Sequence, residues 1–205
     1  MTKNRTLIES GPAAVDAFRQ LVRHRLEEKG PRVVGRWFDT FRYADGTVEA
    51  GPHGEFDWGW NQIQNSFASL LSAWCRGETG YDRINYMGIG SGLVAWDTTP
   101  PTQSYSQTTL TTEYFRKAVQ QTDIVYIDPI TNLPTGGTPS PKIEISVTLL
   151  SAEANGTLRE FGLFGGTATS TLDSGEMVNW IVHPRIDKDS SLEIDRRVRL
   201  EFETQ

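Results

Sequence analysis

The side chains most able to do chemistry in this sequence are His24, His53 and His183, the lone Cys75, Ser91 in a glycine-rich turn, and a few neighbouring carboxylates. No two histidines stand at the i, i+4 spacing that places both rings on one helix face as metal ligands. His24 lies between Arg23 and Arg25, which predicts a solvated ring. His53 belongs to the turn Gly51-Pro52-His53-Gly54, with Glu55 and Asp57 nearby, and reads as a turn residue. His183 precedes Pro184 at an expected strand end. A serine nucleophile on a sharp elbow needs Gly-x-Ser-x-Gly, and Ile89 stands where the first glycine would be. Cys75 falls at the C-terminal end of an expected helix, whereas a thiolate is favoured at an N-terminal end.

Gly88-Ile-Gly-Ser-Gly92 lacks the Lys-Ser/Thr of a phosphate loop and the glycine spacing of a dinucleotide fingerprint. It reads as a glycine-permitted turn or bulge. The pairs Asp187/Asp189 and Glu153/Glu160 are of the kind any acidic chain supplies, so they carry little weight for glycoside hydrolysis. Asp187-Lys188-Asp189 reads as a charged turn. Of six tryptophans, Trp37, Trp58, Trp60 and Trp74 fall in or beside apolar-patterned segments and are expected in the core rather than on a sugar platform. No catalytic, cofactor-binding or metal-binding residue is expected, and the chain reads as non-enzymatic.

Twenty Lys and Arg against 26 Asp and Glu give a net charge of −6, which argues against a broad nucleic-acid surface. The basic run Arg196, Arg197, Arg199 sits in an alternating segment and reads as a solvated strand face. A single cysteine permits no internal disulfide. Met1-Thr-Lys-Asn-Arg-Thr is followed by no apolar run, and no stretch approaches the ~20 apolar residues a membrane span needs. Synthesis in the cytoplasm, away from membranes, is expected.

The elements that must position these residues are mostly strands. Ser10-Gly11-Pro12 opens an amphipathic helix carrying Val15, Phe18, Val22 and Leu26 on one face, ended by Gly30-Pro31. Strands at 32–43 and 47–50 flank Asp45-Gly46, a hairpin turn signal. A second helix is predicted from Trp60 to Cys75, with Ile63, Phe67, Leu70, Leu71 and Trp74 as its apolar stripe and Gly77 as its cap. A short strand, 84–89, precedes a Thr- and Pro-rich arm at 98–112. Residues 113–126 are strand-like, and 128–141 form a Pro- and Gly-rich loop. Residues 142–150 and 192–202 alternate apolar and polar as half-buried strands do. Asn155-Gly156 turns into a strand at 158–164. The expected fold is mainly β (α+β), an antiparallel β-sandwich with an N-terminal amphipathic helix and a second helix packed on the sheet. Residues 1–59 form an N-terminal helix and hairpin, a docking arm, and 60–205 the sandwich domain.

The order of these segments carries a resemblance. The helix 60–75, Ile84-Asn-Tyr-Met-Gly-Ile-Gly-Ser-Gly92, the arm, Leu110-Thr-Thr-Glu-Tyr-Phe-Arg116 and Glu153-Ala-Asn-Gly-Thr-Leu-Arg-Glu-Phe-Gly-Leu-Phe164 follow one another, closing with Ile186-Asp-Lys188 and the last strand. This is similar to virion structural proteins of tailed bacteriophages, in the tail, baseplate and fibre-associated class, over roughly residues 60–202. The resemblance implies a structural tail component at the baseplate or a fibre-attachment point, with the neck or collar as the alternative position. It implies a homo-oligomer whose partners are other virion tail proteins, with no nucleic acid, membrane or cofactor. A carbohydrate-binding module touching a host glycan is the rival reading, motivated by the tryptophans and the Thr-rich loops. The long arm and the 128–141 loop are where partners are expected.

Overall fold

A computed structural model describes residues 32–51, 59–102 and 104–203. The N-terminal helix expected from 10 to 30, together with His24, His53 and Trp58, lies outside the described residues. Residues 33–202 form one compact unit. Ten strands build it: β1 (Arg32–Tyr43), β2 (Val48–Ala50), β3 (Gly59–Ile63), β4 (Asp82–Gly90), β5 (Glu113–Ala118), β6 (Ile124–Tyr126), β7 (Lys142–Leu149), β8 (Gly156–Gly166), β9 (Glu176–Lys188) and β10 (Leu192–Glu203). The α-helix among the described residues is α1 (Asn65–Arg76).

The protein is mainly β, and its sheet is antiparallel and curled. The strands follow one path, β5-β4-β8-β9-β3-β1-β10-β7-β6, with β2 paired to β1. The sequence suggests two stacked sheets; the hydrogen-bonded ladder is continuous, and β3 is the reason. Asn61, Trp60 and Gly59 pair with Gly35, Arg36 and Trp37 of β1, while Gln62 and Ile63 pair with Trp180 and Asn179 of β9. One short strand therefore stitches the two halves together.

That strand also corrects the predicted start of the second helix. Residues 59–63 are extended, and the helix begins at Asn65. Gly59 and Asn61 favour a helix weakly, and the edges of β1 and β9 take up the segment's backbone groups instead. The helix ends as expected: Gly77 adopts φ 70 and its amide bonds the Trp74 carbonyl. Phe67 and Leu70 bury its apolar face against the sheet core. The strand-like stretch 113–126 is likewise interrupted. Gln120 and Asp123 cap one another across a tight 3-10 turn, with the Gln120 amide donating to Asp123 Oδ2 at 2.7 Å.

The alternating segments pair in the register their pattern demands. Ile194, Val198 and Leu200 of β10 stand opposite Leu149, Ile145 and Ile143 of β7. Their apolar faces enter the main core with Trp37, Met87, Leu158, Phe161 and Ile181. A second cluster, Leu110, Phe164, Ala168, Met177 and Trp180, lies separately and is joined by Trp96. Leu110 belongs to the arm, so the arm lies on its own sheet.

Candidate interaction surface

Several of the residues singled out for chemistry are committed to structure; His24 and His53 lie outside the described residues. His183 is buried, its Nδ1 2.8 Å from the Pro184 carbonyl and its Nε2 3.5 Å from Arg196 Nη2. A carbonyl beside Nδ1 favours the tautomer that carries its hydrogen there. Asp187 is salt-bridged to Arg185 and accepts from Thr157, and Arg185 holds its carboxyl below the ordinary range. Asp189 caps the Ser191 amide. Glu153 grips Lys117 at 2.6 Å. Cys75 is an exposed thiol. Among the described residues, no three His, Cys, Asp or Glu side chains converge as a metal shell would.

Arg196 corrects an expectation. It is not part of a solvated face: its side chain is fully buried, paired with the equally buried Asp39 and stacked 3.9 Å over the Phe161 ring. Sequence contained the signal, because 192, 194, 196, 198, 200 and 202 share one strand face and Arg196 is the charged member. Arg197 and Arg199 fall on the other face, Arg199 bonded to Glu144 at 2.6 Å.

The glycine-rich segment has a packing function. A Cβ on Gly88 would collide with Glu113 Oε1, and one on Gly90 would sit 2.6 Å from Glu160 Cγ. The two glycines thus make room for two buried carboxylates. Glu113 holds Arg116 in a two-point pair with both side chains out of solvent. Glu160 accepts from the Thr111 and Thr112 amides and from Trp180 Nε1, at 2.8–3.1 Å. Glu160 is therefore the clasp that fastens the end of the arm to β8. Sequence reasoning places partners on this arm; its described end is held by its own chain.

The 128–141 loop is different. Asp128 Oδ1 accepts the amides of Ile130 and Thr131, and its own amide donates to the Leu133 carbonyl. These amides hold the Asp128 carboxyl below its ordinary range, Thr131 first and then Ile130. Lys142 Nζ reaches Asn132 Oδ1 at 2.7 Å, and Ser140 Oγ donates to the Ile127 carbonyl. The loop is internally bonded throughout, yet it shows Ile130 87% exposed and Leu133 64% exposed. Clustered exposed apolar side chains mark contact surfaces, and these two stand three residues apart in one loop.

Beside the same sheet edge lies an apolar groove of about 250 Å³, bounded by Phe67 and Trp74 of α1, Val125 and Tyr126 of β6, and Phe202 of β10. Exposed Arg83 stands at its rim. Of the tryptophans expected in the core, Trp37 is buried and Trp74 half-buried; Trp180 is also buried, and Trp96 packs edge-on to it at 6.2 Å. Among the described residues no helix is long and apolar enough to cross a membrane.

No family model matches the chain, and no curated protein is similar enough to it to count as a relative.

Proposed function

We propose that this chain is a structural subunit of a bacteriophage tail, placed at the baseplate or a fibre-attachment point, that works by self-association and by docking to other tail proteins. The observation that carries the assembly reading is the 128–141 loop, whose internal hydrogen bonds present Ile130 and Leu133 to solvent. Ordering such side chains before contact removes much of the entropy that association otherwise consumes. The buried charges support it from the other side, since Arg196 with Asp39 and Glu113 with Arg116 are paired, and Glu160 is hydrogen-bonded, inside the fold. The phage assignment rests on the motif order over residues 60–202. In this reading the curled sheet is the sandwich-like body of the subunit, and the neck or collar is the second position on the particle.

Co-expression of the full chain with the other tail proteins encoded beside it, followed by purification of the assembled tail, tests the reading. Its presence in the particle at fixed stoichiometry is expected. A monodisperse monomer that joins no tail component overturns it. Tyr105, 66% exposed on the arm, and Tyr126, 39% exposed, favour a host-glycan contact as the second reading. A glycan array without signal removes that one.

A further inference from the structure

We propose that copies of this chain join head to tail, with the Ile130/Leu133 tip of one copy seated in the apolar groove between α1 and β6 of the next. The inference deepens the assembly reading above and rests on it.

The two surfaces are complementary in kind. The tip offers one β-branched and one γ-branched aliphatic side chain on a rigid loop. The groove offers about 250 Å³ walled by Phe67, Trp74, Val125 and Phe202, large enough to take an aliphatic side chain with its neighbouring backbone. Charge matches as well. Arg83 at the groove rim has no hydrogen-bond or ion-pair partner among the described residues, and Asp128 lies two residues from Ile130. The loop amides hold the Asp128 side chain as a carboxylate, the charge opposite to that of Arg83.

A chain does not seat its own tip: neither Ile130 nor Leu133 is among the residues that line its groove. Successive residues of a strand point to opposite faces. Ile143 of β7 and Phe202 of β10 line the groove, whereas Lys142 of β7 and Glu201 of β10 line a separate cavity that also includes Pro129 and Asn132 of the loop. Asn132 is bonded to Lys142, so the tip is anchored on the face opposite the groove. The tip and the groove are different surfaces, so the contact is heterologous and repeats into a ring, or into a filament where the rotation does not close.

Sedimentation of the full chain and two variants, Ile130→Glu and Val125→Glu, tests this. Circular dichroism and melting confirm that each variant folds. The parent is expected to form oligomers, and each variant alone to sediment as monomer. An equimolar mixture is expected to stop at the dimer, because the intact tip of the Val125→Glu chain fits the intact groove of the Ile130→Glu chain. A mixture that stays monomeric, an Ile130→Glu chain that oligomerises like the parent, or a parent that is monomeric at every concentration overturns the head-to-tail contact. A monomeric parent that still enters purified tails sinks this inference alone; failure to enter them sinks the assembly reading. Should Val125→Glu fail to fold, Arg83→Glu replaces it in the same mixture with the Ile130→Glu chain, with the same expected outcomes.

Discussion

Arg196 and Asp39 meet in a two-point ion pair, Nε to Oδ1 at 2.8 Å and Nη2 to Oδ2 at 2.6 Å, with neither side chain reaching solvent. The pair ties β10 to β1 and places a guanidinium over Phe161 in the middle of an apolar cluster. Coulomb attraction at that burial offsets a large desolvation penalty only while both partners are present.

Removing one partner leaves an uncompensated charge. Asp39→Ala or Arg196→Ala is expected to lower unfolding free energy by about 3–5 kcal/mol in urea titrations. The double change Asp39→Leu with Arg196→Met is expected to recover much of that loss. Single variants within about 0.5 kcal/mol of the parent would show that the pair contributes nothing to stability.

Glu160 accepts three hydrogen bonds that fasten the arm. Glu160→Ala leaves three donors without an acceptor, for a loss on the order of 3 kcal/mol. Limited proteolysis is expected to cut first between 98 and 109, with the emission of Trp96 and Trp180 shifting red as the second cluster opens. Cleavage elsewhere, with the arm still protected, would refute the clasp.

Alkaline pH separates two buried groups of opposite sign. Burial pushes the Tyr114 phenol up to about 12 from its ordinary 10.0. A raised phenol contributes stability that is fully present below pH ~10 and is lost as the pH climbs through the folded value. Burial depresses the Lys188 amine below 10.5, so there the folded state gains as pH rises toward 10.5. Tyr114→Phe is expected to remove the alkaline loss while leaving the Lys188 gain. Urea midpoints measured on both sides of pH ~10 decide it, and identical slopes for parent and variant would contradict the assignment.

Asp128 organises the exposed tip through two amides. Asp128→Ala is expected to release about 1 kcal/mol per lost bond, all of it local. Amide exchange at Ile130 and Thr131 speeds up, the melting temperature stays put, and self-association weakens. A global drop in melting temperature would mean that the loop is part of the core instead.

Much of the fold was legible in the sequence because its signals are local. Asp45-Gly46 turns β1 into β2, Gly46 at φ 88. Gly77 ends α1, and the period-two pattern of β7 and β10 sets their register. The strand expected to end at His183 is β9, whose bounds were not legible: it is an inner strand with neighbours on both sides, apolar residues run through it without alternation, and it continues past Pro184 to Lys188. β3 was read as helix because its identity lies in two partners distant in sequence. The buried carboxylates could be inferred from no spacing, since Glu113 and Glu160 meet Gly88 and Gly90 only across paired strands.

The stitch made by β3 has a mechanical consequence. Tension drawn across the sheet passes through three residue pairs on one side of β3 and two on the other, whereas β7 grips β10 through eight. Under load that short ladder is expected to open first, leaving the halves joined by their shared apolar core.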